Sequence, residues 1–397
     1  MSKYIETTFS DVCTFENGDR GKNYPARSAY IDKGIPFFSA GNISNNKIDQ
    51  DSLNYISKER FDILGSGKVR KGDVLFCLRG SLGKFAVIEN DIEGGIASSL
   101  VIIRPSKKVT VRFFSFYLES QLCAEMIKLY DNGTAQPNLS ASNLKKFKIP
   151  LPPLPEQKRI VAKLDGLFEK IDQAIVLLEE NIEHTEALMG SVLDEIYSNG
   201  DTMLDEACNV GPKKSEVRDL DKDLEVSFLP MKDLNEHDIN FIPKEIKKIG
   251  EVYKGYTYFA EGDVILAKVT PCFENGKAGL AKDLKNGIGF GSSEYHILRP
   301  KENVLPEWIY FAVLTEQFRV TGKENMTGAG GLKRISRDFV KDWKIPVPSP
   351  EIQKKQIERI VQIQEYTKSL EESVNKKLNH LKALKSSLLD QAFKGEL

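Results

Sequence analysis

Lys148-Ile149-Pro150-Leu151-Pro152 returns 196 residues later as Lys344-Ile345-Pro346-Val347-Pro348, and in both places a long helical pattern follows. The prolines remove backbone donors and push the residues before them away from helix, so the fold changes at this point. Beyond the first hinge, Glu156 opens a helix expected to run to Tyr197 and to stop at Asn199-Gly200. An acid in the first turn suits the positive end of the helix dipole. Its apolar residues step by three and four: Ile160, Leu164, Leu167, Ile171, Ala174, Leu178, Leu188, Val192 and Ile196. The second helix, from Glu351 to Phe393, repeats the pattern with Ile357, Ile360, Leu370, Val374, Leu378, Leu381, Leu384 and Leu388. Such a stripe predicts a coiled-coil seam, with Glu and Lys on the other faces. About 42 residues make a rod of roughly 60 Å, which cannot bury its stripe alone. The economical solution pairs the two helices antiparallel, relating the flanking domains by a pseudo-twofold axis.

Outward from the hinges, the whole chain reads twice. Gly72-Asp73-Val74-Leu75 returns as Gly262-Asp263-Val264-Ile265, Ile103-Arg104-Pro105 as Leu298-Arg299-Pro300, and Ser191-Val192-Leu193-Asp194 as Ser387-Leu388-Leu389-Asp390. Ile35-Pro36-Phe37-Phe38 and Val226-Ser227-Phe228-Leu229 hold equivalent places. The matches stay collinear, which chance matches would not, so the chain is a duplication. Each half begins with about 150 residues of short β-like runs, among them Asp73–Leu78, Phe85–Ile88, Leu100–Ile103, Val264–Ala267 and Tyr295–Leu298. The expected class is α+β: mixed domains at 1–152 and 200–348, with helical spacers at 153–199 and 349–397.

Composition sets outer bounds. At 397 residues, with 41% hydrophobic and 28% charged residues, the chain is an ordinary globular one with room for several cores. Five scattered cysteines without a CxxC pair point to a reducing compartment, and neither a signal peptide nor a membrane span is read. A cytoplasmic location is expected. The formal net charge of −1 does not mark a free-standing nucleic-acid binder. Any DNA role must rest on local patches or on partners that share the phosphate contacts.

Two unlike domains held apart by matched rods would suit a duplex read at two places, and because they differ, the expected word is asymmetric and in two parts. At this point the chain resembles the specificity subunits of type I restriction–modification systems over essentially its whole length. The resemblance is carried by Gly72-Asp73-Val74-Leu75-Phe76 with Gly80-Ser81-Leu82-Gly83-Lys84, and by Gly262-Asp263-Val264 with Thr270-Pro271-Cys272-Phe273-Glu274-Asn275-Gly276-Lys277. Gly133-Thr134-Ala135-Gln136-Pro137-Asn138, the run Ile149–Lys158 and the C-terminal Leu388–Leu397 complete it. It implies two target-recognition domains on double-stranded DNA and helices that bind two methyltransferase subunits. With restriction subunits added, the assembly becomes an ATP-dependent nuclease. No cofactor is expected in this chain; S-adenosylmethionine and ATP belong to the partner subunits. One departure is Glu351-Ile352-Gln353, where a residue splits the pair seen at Glu156-Gln157, leaving the register of the second helix start open.

Contacts to phosphate come from Lys and Arg, and base readout from Arg, Lys, Asn, Gln, Ser or Thr on loops. The candidates in the first domain are Arg79, Ser81, Lys84, Thr134, Gln136 and Asn138. Those in the second are Lys268, Thr270, Glu274, Asn275 and Lys277, with Lys333 and Arg334 beside a glycine-rich loop. A catalytic site is not expected: there is no dinucleotide-binding glycine motif, no Walker loop and no Asn/Asp-Pro-Pro-aromatic motif. Four histidines supply a metal site poorly, and none is expected. The rival reading is a coiled-coil scaffold that binds protein without reading DNA, which the neutral charge permits.

Overall fold

The computed structural model describes residues 4–131, 133, 137–236, 238–241, 243–329 and 331–397. The chain divides into two compact units, Met1–Leu178 with Lys376–Leu397, and Glu179–Asn375. Each unit therefore takes one part of each long helix.

In the first unit a four-stranded antiparallel sheet runs in the order Cys13–Asn17, Leu100–Pro105, Val74–Cys77, Phe85–Val87. Its two inner strands are uninterrupted runs of β-branched, aromatic and aliphatic residues because both faces are covered. Val74, Phe76, Val101 and Ile103 face a core that includes Phe113 and Phe116 of the helix Val111–Glu119. The alternate residues, Leu75, Cys77, Leu100 and Ile102, face a second core with Phe38 and Ile96. Those two residues belong to a three-stranded sheet, Asn54–Ile56, Ile35–Phe38, Gly95–Ile96, whose last pair is parallel. Ile5–Thr8 pairs antiparallel with Lys148–Leu151, so the strand before the hinge is tied to the start of the chain.

The second unit repeats this plan. Its sheet order is Cys208–Val210, Tyr295–Pro300, Val264–Ala267, Ala278–Leu280. Val264, Leu266 and Leu298 face Trp308 of the helix Pro306–Ala312, while Ile265, Ala267 and Ile297 face Leu229 and Phe259. A further sheet, Glu245–Lys248, Glu225–Leu229, Ile288–Gly291, Thr257–Ala260, again contains one parallel pair.

The repeated Gly-Asp-Val and Arg-Pro motifs turn out to be one interaction. Asp73 accepts Arg104 Nε at 2.7 Å and Nη2 at 2.8 Å, and Asp263 accepts Arg299 in the same two bonds at the same distances. The carboxylates are 1% and 0% exposed, and each also accepts a backbone N–H, from Arg70 or Ala260. Gly72 and Gly262, at φ +86° and +83°, make the turn that brings each aspartate inward, a conformation open to glycine at little cost.

The helices span Leu154–Tyr197 and Pro350–Lys394. Prolines fit their first turns, where no intrahelical donor is lost. In the first unit the two run antiparallel: Arg159 donates to the Leu397 carbonyl and, farther along, Lys385 meets Asp172 at 2.7 Å. Phe393 packs against Phe113 and Tyr117 with ring centroids 5.1 and 5.5 Å apart. In the second unit Glu195 meets Arg359, Leu193 and Ile360 share a core, and Tyr197 donates to the Trp308 carbonyl at 2.8 Å.

Two expectations need correction. The stripe is not one continuous seam: Leu188, Leu370 and Leu384 are exposed, while Phe168 and Leu193, which the stripe leaves out, are buried. A 3.6-residue turn drifts away from a 3.5-residue stripe, and toward their ends the helices pack on the globular cores as well as on each other. Nor is the second helix start shifted. Gln157 and Gln353 do the same work in the two units, and the intervening change is a substitution, Ile352 for Glu156. Gln157 accepts from Thr110 N at 2.9 Å and donates to the Lys108 and Pro152 carbonyls, each at 2.9 Å. Gln353 accepts from Leu305 N and donates to the Asn303 and Pro348 carbonyls at 2.9, 3.0 and 2.7 Å.

Both glutamines are fully buried, and each staples its hinge to the loop before a core helix. Gln353→Leu leaves three main-chain groups unpaired and is expected to cost about 2–4 kcal/mol of unfolding free energy, with Gln157→Leu similar. Urea denaturation checks this; a cost below about 0.5 kcal/mol would show that the staple is dispensable.

Candidate nucleic-acid interface

In the first unit the loop between Val74–Cys77 and Phe85–Val87 is held against the segment that follows the helix Gln121–Tyr130. Leu78 N donates to the Ser99 carbonyl and Leu139 N to the Leu78 carbonyl, both at 2.9 Å. Gly80 N reaches the Pro137 carbonyl at 3.3 Å, and Arg79 bridges to Asn138. Asp131 shapes the approach to Asn138: one of its oxygens accepts from Gly133 N and Asn138 N at 2.9 Å each, and these bonds hold its carboxyl below the usual range. Arg79, Ser81, Lys84 and Asn138 are thus brought together, all exposed. Thr134 and Gln136 lie outside the described residues.

The second unit builds the same tether beneath different side chains. Lys268 N donates to the Glu294 carbonyl at 2.9 Å, Ile335 N to the Lys268 carbonyl at 2.9 Å, and Thr270 N to the Lys333 carbonyl at 3.0 Å. Position by position, Lys268 stands for Leu78, Ile335 for Leu139, Arg334 for Asn138 and Glu294 for Ser99. The longer loop between Val264–Ala267 and Ala278–Leu280 carries Thr270, Glu274, Asn275 and Lys277. Lys333 and Arg334 lie on Leu332–Arg334, the return strand of a short hairpin with Thr327–Ala329.

Several of these side chains are engaged within the protein. Arg334 donates through Nε and Nη2 to the two carboxylate oxygens of Glu294, at 2.9 and 2.8 Å. That guanidinium holds the Glu294 carboxyl below its usual range. Asn275 donates to Glu236 at 3.2 Å, and Glu274 lies 3.9 Å from Lys323 and accepts at its carbonyl from Arg319. Lys268 donates to the Ser293 carbonyl at 2.8 Å, and burial lowers its pKa. The sequence reading missed Asp131 and Glu294. An Asp two residues before a glycine could have flagged the first; Glu294, forty residues from its partner, left no local signal.

Beneath the second tether sits His296, 7% exposed, with Nε2 3.0 Å from the Ile335 carbonyl. Burial, with Lys268 and Arg337 nearby, pushes its pKa down to about 4, against the opposing pull of the Ile335 carbonyl and of Glu294. The folded value lies below the ordinary 6.5, so the unfolded chain binds more protons between the two. The stability from neutral His296 is therefore complete above about pH 6.5 and lost as pH falls toward 4. His296→Gln is expected to flatten the acid limb of the unfolding free energy by up to about 3 kcal/mol. Denaturant titrations from pH 7 to 4 test this, and parallel profiles for the two proteins would refute it.

Among the described residues no group of three or more His, Cys, Asp or Glu is placed to hold a metal ion, and no helix is long and apolar enough to cross a membrane. The type I restriction modification DNA specificity domain matches residues 1–177 and again 202–380. The EcoEI specificity subunit of Escherichia coli is 41% identical over 36% of this chain, and the EcoAI specificity subunit of the same species 35% identical over 47%. Those matches span 24% and 32% of the two relatives' own lengths. The EcoKI specificity subunit of E. coli K12 is 23% identical across 99% of this chain and 89% of that one. Two solved structures share the fold at 21% identity. One comes from work on complex assembly and conformational transition of the type I R-M system, with a TM-score of 0.75, 99% of this chain and 98% of that one covered. The other, the HsdS subunit from Thermoanaerobacter tengcongensis, has a TM-score of 0.57, with 99% and 97% covered.

Proposed function

Since the chain belongs to the type I restriction modification DNA specificity family, we propose that it is the DNA-reading subunit of a type I complex and reads a two-part, asymmetric duplex site. The observation that carries this is the doubled tether. The same main-chain hydrogen bonds join a loop to a later segment in each unit, and the joined pair displays Arg79, Ser81, Lys84 and Asn138 in one and Lys333 and Arg334 in the other. A constant scaffold under different side chains is what two readers of different half-sites require. Phosphate contacts would position each loop, and polar side chains in the major groove would select the bases.

In this reading the chain performs no covalent step. Two methyltransferase subunits dock on the helical segments, which also set the spacing of the half-sites. S-adenosylmethionine and ATP bind on partner subunits, with a restriction subunit completing a nuclease in the cytoplasm. The near-neutral charge fits this division, since partners that enclose the duplex share the neutralisation of phosphates.

The experiment is methylation of genomic DNA by the full chain with its methyltransferase, mapped by single-molecule sequencing. The expected product is one motif with two unlike specified parts around an unspecified gap; methylation without a motif would overturn the reading. In the same complex, Arg79→Ala with Lys84→Ala should reduce the slope of log affinity against log salt by about 2, roughly 0.9 for each phosphate no longer neutralised. An unchanged slope would remove this loop from the interface.

A further inference from the structure

Arg334 is a cation that has already been given a carboxylate, and this changes what it can recognise. A guanidinium carries five N–H donors in a plane. Glu294 takes one from Nε and one from Nη2, at 2.9 and 2.8 Å. The outer edge stays available: one N–H of Nη2 beside those of Nη1, which meets no acceptor among the described residues. The Arg334 side chain is 45% exposed against 26% for Glu294, so the pair presents its arginine side to solvent.

Both ends of the pair are fixed. The Glu294 carbonyl accepts from Lys268 N, its own N–H meets Ser292 Oγ at 3.2 Å, and Lys268 Nζ holds the neighbouring Ser293 carbonyl. Arg334 lies on a hairpin strand and bridges to Val269. The guanidinium is thereby held in one plane before any ligand arrives, which lowers the entropy cost of a directional contact.

A phosphate is a poorer match for this guanidinium edge, because Glu294 repels an anion beside it, even with Lys268 and Arg337 nearby. An uncharged surface with two parallel acceptors is a good match. In duplex DNA that surface is the O6 and N7 edge of guanine in the major groove, the partner to which arginine donates in pairs. We propose that Arg334, oriented by Glu294, reads a guanine within the half-site recognised by the second domain. This rests on the DNA-reading function proposed above. Glu294 is then a positioning residue that touches no base. The first domain has Asn138 and Ser99 in the equivalent places and so lacks this device.

The test is selection from randomised DNA duplexes by the full chain in complex with its methyltransferase, comparing wild type with Glu294→Gln, Arg334→Lys and Arg334→Ala. Wild type should enrich a bipartite site with a G·C pair at one position of one half. Preference for guanine there should fall about tenfold or more in both Arg334 variants, since lysine offers a point charge in place of a fork. Glu294→Gln should weaken the same preference while affinity for unrelated duplex holds or rises, because a negative charge has gone. The other half-site, retained in every variant, reports that the chain is folded. Two results overturn the assignment alone: an intact motif in all variants, or affinity reduced equally for every sequence. No enrichment by wild type would overturn the DNA-reading function itself.

Discussion

Asp73 and Asp263 sit between two cores, withdrawn from water, and such carboxylates persist only when their charge is met. Each is met by an arginine from the adjacent strand in a two-point bond. Removing one partner of such a pair leaves a buried charge and typically costs about 3–5 kcal/mol, a large share of what a domain possesses. The geometry also fixes register: with Arg104 on Asp73, Val74 lies opposite Ile103, and with Arg299 on Asp263, Val264 lies opposite Leu298. Once that pairing is set, alternation assigns every residue of both inner strands to one core or the other. The helical core, the outer sheet and the loop after each inner strand follow from it.

Much of this was legible in the sequence because it is periodic or duplicated. The inner strands, the hinges and both long helices announced themselves, and the second copy confirmed the first. What the motifs were for was less legible. Gly-Asp-Val marks a turn and an ion pair, and a glutamine in each hinge repeat is a three-bond staple; neither role shows in a spacing. The stripe misled at Leu188, Leu370 and Leu384, since periodicity says which residues share a face and not how far a partner extends along it. Of the candidate site residues, the sequence named the loops but not their pairing. Arg79 meets Asn138 and Arg334 meets Glu294 through contacts between distant segments, created only by folding.

The charge balance gains detail from the same view. In the second domain two cations near the tether have an acid within reach, Arg334 with Glu294 and Lys323 with Glu274. In the first, Arg79 and Lys84 form no ion pair among the described residues. A net charge of −1 therefore conceals local differences: Arg79 and Lys84 stand without an ion pair among the described residues of one unit, while Arg334 and Lys323 each lie beside an acid in the other.

The tethers under both loops are made by main-chain N–H and C=O groups, from Leu78, Ser99 and Leu139 in one unit and Lys268, Glu294 and Ile335 in the other. Atoms common to every residue but proline hardly constrain which side chains stand above them. Asparagine and arginine already occupy the same station in the two halves without disturbing the bonds below. Point changes at the tips can thus alter what each loop displays while the bonds that hold it in place, resting on the main chain, stay as they are.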